Sequence, residues 1–111
     1  MARGETFEAG ELTDTSFYIL LTLQQARHGY LIMQKIEELT NGKVSIGPAS
    51  MYTTIKKLLN AGLIKQYGEG SGKRKTYIAT ASGVHLLKRD IKRRESMLAH
   101  AKLIFNEEGE Q

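Results

Sequence analysis

Apolar residues recur along this chain at two different periods, and the place where the period changes divides it. From Asp14 the spacing is helical: Phe17, Leu20, Leu21 and Gln24 share a face, with Thr13 or Asp14 placed to cap the first turn. The run RHGY interrupts that helix at Gly29, and a second helix is predicted from Leu31 to Leu39 with Ile32, Ile36 and Leu39 inward. The turn residues TNGK end it, VSI (Val44 to Ile46) reads as a short extended piece, and Pro48 opens a third helix. In that helix Met51, Ile55, Leu58 and Leu59 fall on one side, while Tyr52, Thr53, Thr54, Lys56 and Lys57 fall on the other. Gly62 stands where such a helix ends.

Beyond Gly62 the period drops from about 3.6 to 2. LIKQYGE alternates Leu63, Lys65 and Tyr67 against Ile64 and Gln66, and RKTYIAT alternates Lys75, Tyr77 and Ala79 against Thr76 and Ile78. The glycine-rich GEGSGK between them predicts a hairpin with a mobile tip. A last helix is expected from about Ala81 to Phe105, with Thr80 as N-cap. Its residues Val84, Leu87, Ile91, Leu98, Ala101 and Phe105 follow a 3-4 spacing broken by Arg94, and Leu86, Met97 and Ile104 widen the stripe.

The order helix, helix, short strand, helix, hairpin, long helix describes a winged helix-turn-helix, mainly α with a small β-hairpin. The expected organisation is a flexible N-terminal arm at 1–12, a winged-helix DNA-binding domain at 13–80, a dimerisation helix at 81–106 and an acidic tail at 107–111. One chain of 111 residues supports a single modest core. The three-helix body has room for Leu86 and Leu87, but the stripe past Ile91 exceeds what that body can cover. A second copy of the chain is its natural cover, which makes Phe17, Ile91, Leu98, Ala101 and Phe105 the expected dimer interface.

Charge sharpens this picture. The chain is +4 overall, but the acidic residues gather at both ends; residues 15–106 carry 15 basic against five acidic side chains, a net of +10. A basic body with acidic ends suits a polyanionic partner. There is no Cys, hence no disulfide framework, and the longest apolar run, Phe17 to Leu21, is far too short to span a membrane. A cytoplasmic location without membrane attachment is expected.

The residue types then name the contacts. Ser50, Thr53 and Thr54 are short enough to let a helix sit deep in a major groove, and threonine methyls can touch thymine. Lys56, Lys57 and the Tyr52 hydroxyl suit phosphates, which supply affinity and register. Lys73, Arg74 and Lys75 beside the glycine-rich tip can lie along a backbone or a narrow minor groove, and they also protect a sheet edge. Lys88, Arg89, Lys92 and Arg93 lie off the apolar stripe and read as a solvated face adding long-range attraction. His28, His85 and His100 share no i, i+3 or i, i+4 spacing and have no Cys to join them, so neither a metal site nor a cofactor is expected. No phosphate loop or nucleophile motif occurs, and the chain does not read as an enzyme.

Three runs, LTDTSFYILLTLQQARHGYLIMQKI, GPASMYTTIKKLLNAGLIKQ and GKRKTYIATASGVHLL, resemble the PadR family of winged-helix transcriptional regulators. The resemblance covers about residues 12 to 106. Its specific pieces are HGY, MY followed by LLNAGLI, and RKTYIAT followed by Gly83 and Leu87, and it is to the short branch with one C-terminal helix. Met51 stands where leucine is usual, and there is no Trp, the residue that members binding flat aromatic compounds often place at the dimer centre.

The combined reading is a homodimeric repressor, whose symmetry places two reading helices on an inverted repeat of double-stranded DNA, with His28, beside Gly29 and Tyr30, expected as a helix-entry residue near DNA phosphates. It also implies an opening for a small apolar or aromatic effector near Phe17, Met97 and Phe105. The competing reading from residues alone is a winged-helix interaction module whose basic face binds an acidic protein or RNA.

Overall fold

The computed structural model describes residues 11–107; the acidic residues beyond 107 and nearly all of the proposed N-terminal arm lie outside them. The elements are α1 (Asp14–Thr22), β1 (Arg27–His28), α2 (Gly29–Thr40), α3 (Pro48–Asn60), β2 (Ile64–Gln66), β3 (Thr76–Ala79) and α4 (Ala81–Glu107). This is the winged-helix order expected from the sequence, mostly helical with one small antiparallel sheet. No described helix is long and apolar enough to cross a membrane.

Local chemistry explains the boundaries. The Ser16 N–H donates to Thr13 Oγ1 at 3.1 Å, capping α1, and the Gly83 N–H donates to Thr80 Oγ1 at the same distance, capping α4. Pro48 occupies the first turn of α3, where a missing N–H leaves no bond unmade. Asn41 ends α2 in the left-handed conformation that asparagine tolerates.

The core is made by Ile19, Leu20, Leu23, Ile32, Ile36, Met51, Ile55, Leu58, Leu63, Ile64 and Tyr77, closed by Leu86 and Leu87 from α4. Several inward assignments need correction. On α1 the buried residues are Ser16, Ile19, Leu20 and Thr22, continuing into Leu23; Leu21 is half-buried and Gln24 is exposed, its amide donating to the Leu20 carbonyl. Leu39 on α2 is 52% exposed and Leu59 on α3 is 36% exposed. Three short helices cover a narrower arc than their apolar stripes offer, so the edge of each stripe stays wet. Leu12, which the sequence placed in the arm, is buried in the core.

The sheet also differs from expectation. Val44 to Ile46 forms no strand, the Val44 N–H turning back to Thr40 Oγ1 at 3.1 Å, and the third strand is instead Arg27–His28. β3 is central: Arg27 pairs with Tyr77 and His28 with Thr76 on one side, and Ile64, Lys65 and Gln66 pair with Ala79, Ile78 and Tyr77 on the other. The Ala79 N–H donates to the Leu23 carbonyl at 2.9 Å and extends the seam toward α1.

α4 docks at its first turns and then leaves. Gly83 is there because any Cβ would collide with the Leu63 carbonyl, so the helix rests directly on the backbone where β2 begins. Leu86, Leu87 and Asp90 are buried, Ile91 is half-buried, and every residue from Glu95 to Glu107 is exposed. The projecting half stretches the molecule to 57 Å against 31 and 25 Å in the other directions.

Candidate nucleic-acid interface

The outer face of α3 is built by its inner one. Met51, Ile55 and Leu58 are buried at helical spacing, which turns Ser50, Tyr52, Thr53, Lys56 and Lys57 to solvent. Thr54 is half-buried rather than outward, so it belongs to the flank of this face.

The second contribution comes from the start of α2. A Cβ at Gly29 would lie 2.5 Å from the Tyr52 hydroxyl and 2.7 Å from Met51 Cε. The missing side chain lets α3 seat on the first turn of α2, which accounts physically for the HGY run. His28 is the N-cap residue of α2 without a capping side-chain bond, and it is half-buried; Tyr30 is 63% exposed. His28 pairs with Thr76 in the sheet, so the base of the wing lies beside it. Tyr77, next along β3, has its hydroxyl pushed above the ordinary tyrosine range, first by burial and then by the nearby Tyr52. Tyr52, Gly29, His28 and the first residues of β3 therefore form one continuous region.

The expected wing hairpin is present between β2 and β3. Its pairing runs one step beyond β2 through the Tyr67 N–H to the Thr76 carbonyl at 2.7 Å. The Gln66 amide crosses to the Gly70 carbonyl at 2.9 Å, and Gly72–Arg74 forms a single 3-10 turn. Lys73, Arg74 and Lys75 thus sit on the turn that enters β3, and Arg74 and Lys75 are exposed.

The residues expected at a dimer interface or effector pocket are more dispersed. Leu98, Ala101, Phe105 and Met97 lie on the exposed half of α4, Ile91 packs against the core, and Phe17 is on α1. Phe17 meets Tyr18 edge to face at 5.9 Å, and the Arg94 guanidinium stands 4.4 Å over its ring. An open groove of about 410 Å³ between α1 and α2 is lined by Leu21, Gln25, Arg27, Lys35 and Leu39, among others, and by none of Phe17, Met97 and Phe105.

A buried ionic node escaped the sequence reading. Asp90 is fully buried, accepting from Arg93 Nε at 2.8 Å, from Arg94 Nε at 2.7 Å and from the Leu12 N–H at 3.3 Å. Arg94 also donates to Asp14 Oδ1 and to the Leu12 carbonyl, both at 2.9 Å. Burial alone would raise the Asp90 carboxyl, but the donors Arg94, Arg93 and Leu12 outweigh it and hold it below the ordinary range. Arg94, which breaks the apolar stripe in the sequence, is therefore a tie between helices, and Arg93 is not simply solvated. The signal was an acid followed by Arg at i+3 and i+4 on an otherwise apolar face. Among the described residues no group of His, Cys, Asp or Glu could hold a metal ion.

Comparison with known proteins agrees with this architecture. Residues 19–89 match the model of the transcriptional regulator PadR-like family. The chain is 25% identical to a transcriptional regulator from Clostridium thermocellum, covering 83% of this chain and 87% of that one at a TM-score of 0.66. A PadR-like transcription factor from Bacteroides fragilis is 20% identical, with 80% and 87% covered and a TM-score of 0.68. A PadR-like transcriptional regulator from Bacillus cereus is 19% identical, with 81% and 89% covered and a TM-score of 0.67. The last two bear on the fold alone. No functionally curated protein matches the chain. With the family match spanning most of the winged-helix body, the chain belongs to the PadR-like family of DNA-binding transcriptional regulators rather than to a family of enzymes.

Proposed function

We propose that this regulator acts as a homodimer that represses transcription from an inverted-repeat operator. The observation that carries the dimer is the distal half of α4, where Met97, Leu98, Leu103, Ile104 and Phe105 are all more than half exposed. Apolar surface of that extent on one helix is costly in water and is relieved by a self-complementary copy. In the dimer two α3 helices lie about one DNA turn apart, each with Ser50, Thr53 and the flank residue Thr54 toward the bases. Tyr52, Lys56, Lys57, His28 and Tyr30 hold phosphates around them, and Lys73, Arg74 and Lys75 lay charge on the neighbouring backbone. A small apolar or aromatic effector entering between the helices near Phe17, Met97 and Phe105 relieves repression.

Affinity for a selected inverted repeat, compared with the same bases scrambled at constant length, tests this. The proposed reader loses affinity on scrambling by orders of magnitude. A module that merely binds acidic protein or RNA by charge tolerates scrambling, and that outcome would overturn the reading.

A further inference from the structure

α4 belongs to two units at once: its first turns to the winged-helix body, its last turns to the exposed apolar half. The junction between them is the Asp90–Arg94 node. Asp90 is the last fully buried residue of α4, and Arg94 is the last that is not exposed. The packing around it, at Leu86, Leu87 and Ile91, is apolar, and burial by itself has little directionality. The node is directional. One carboxylate takes donors from Arg93, Arg94 and Leu12, and one guanidinium reaches Asp90, Asp14, the Leu12 carbonyl and the face of Phe17. Those partners lie on α1 and on the segment leading into it, so the node fixes α4 in rotation and tilt against α1.

Leverage makes that restraint matter. Glu107 lies 17 residues beyond Asp90, a helical arm of about 25 Å at the usual rise. A pivot of about 10° at the node swings the far end by about 4 Å, more than the roughly 3.4 Å between stacked bases. If two arms are joined at their ends, the same pivot shifts each reading helix relative to the other by a comparable distance.

We propose that Asp90 and Arg94 are positioning residues that set the angle between α4 and the reading body, and through it the half-site spacing the regulator accepts. This rests on the homodimeric reading above. Neither residue touches DNA in this role; both act through the placement of α3.

The test replaces the node with apolar groups, Asp90→Leu with Arg94→Met in the full chain, since a buried ion pair exchanged for apolar side chains of similar size often keeps its stability. Circular dichroism and thermal unfolding establish that the variant is folded. The chain has no native Cys, so Asn60→Cys at the exposed end of α3 places one spin label per protomer. Pulsed dipolar spectroscopy then reads the distance between the two bodies, and a series of inverted repeats with spacers changed one base pair at a time reads the accepted spacing.

The native protein should give a narrow distance distribution and lose roughly tenfold in affinity per base pair of wrong spacing, the order of one mismatched base pair. The double variant should broaden the distribution by several ångströms (about the swing calculated from the helical rise) and flatten the spacing profile to less than about threefold. An unchanged width and profile would overturn the proposal. Should the double variant not fold, Asp14→Ala serves instead: it removes only the outer, exposed partner of Arg94. It should broaden both readouts in the same direction, and no broadening counts against the node. Absence of dipolar coupling in the native labelled protein overturns the dimer itself and this inference with it. Coupling that is present but unaltered in the variants removes only the positioning role.

Discussion

Gly29 lies beneath Tyr52: a Cβ at Gly29 would stand 2.5 Å from the Tyr52 hydroxyl oxygen and 3.0 Å from Cζ of the same ring. The backbone of Gly29 is in an ordinary helical conformation, so the requirement is space rather than φ. Gly29→Ala should therefore cost about 1–3 kcal/mol through overpacking between α2 and α3. Adding Tyr52→Ala should recover part of that cost, since the two changes meet at one place while Met51 Cε stays 2.7 Å from the added Cβ. Thermal unfolding of the single and double variants measures it; a Gly29→Ala protein as stable as the native chain would show that α3 has room to move.

Asp90 gives the stability its acid limb. Its carboxyl sits below the ordinary carboxylate range when folded and returns to about 3.9 when unfolded. Between those values the unfolded chain binds the extra proton, so stability rises with pH there. The contribution is fully present above the unfolded value and is lost as pH falls through the folded one. Asp90→Asn should remove about 3–5 kcal/mol at neutral pH, the usual cost of breaking a buried pair. The deficit should shrink as pH drops below about 4. Denaturant titrations at pH 7 and pH 3 check it, and a deficit equal at both would assign the loss to shape rather than charge.

Leu98 is 63% exposed on the projecting half of α4. In a dimer that joins these halves, Leu98→Asp places a carboxylate in an apolar contact and desolvates it without a partner. Light scattering should show the native chain as a dimer at tens of micromolar (roughly the range in which weak dimers begin to fail) and the variant shifted toward monomer. The unfolding midpoint of the isolated body should barely move, since Leu98 lies outside the buried core.

The wing cations invite a salt titration. Replacing Lys73, Arg74 and Lys75 together by Ala should weaken binding to every sequence alike. It should also reduce the slope of log affinity against log salt by about one for each phosphate left without its cation. A triple variant with the native slope would detach the wing from the backbone of the DNA.

The two faces of α3 should fail differently. Ile55→Ala or Leu58→Ala removes buried volume and should cost about 2–5 kcal/mol of stability. Thr53→Ala is on the exposed face and should leave stability within about 0.5 kcal/mol. It should still lower affinity for the operator relative to random DNA by about 1–3 kcal/mol if the side chain reads a base. Lys56→Ala and Lys57→Ala should weaken both kinds of DNA together. A specific-to-nonspecific ratio unmoved by Thr53→Ala would leave this face without a reading role.

How much of this was legible beforehand depended on whether a feature has a local signature. Pro48, Thr80 and Gly62 announce helix ends through their own backbone chemistry, and α3 and α4 begin where those residues say. Periodicity found the helices and the inner faces of α2 and α3, but not the phase of α1, which turns Ile19 and Leu23 inward because the position of α2 and α3 decides which arc of an apolar helix is covered. The two residues of β1 are too few to carry a period, and their strand exists only because β3 arrives beside them. Exposure on the outer face of α3 was readable for Tyr52, Thr53, Lys56 and Lys57, whereas Thr54 depends on how closely α3 lies against its neighbours. The Asp90 node joins residues about 80 positions apart and leaves only its helical half, Asp90 with Arg93 and Arg94, in the local pattern.

The central place of β3 has a kinetic consequence. Arg27 and His28 find their partners about fifty residues downstream, at Tyr77 and Thr76. Closing a loop of that length costs entropy that only already-packed intervening segments offset. The loop holds α2, α3 and β2, so the seam between β1 and β3 closes after the helices have gathered. The hairpin of β2 and β3, whose partners are at most 15 residues apart, pairs locally, and it is fixed to the body when Arg27 and His28 join β3.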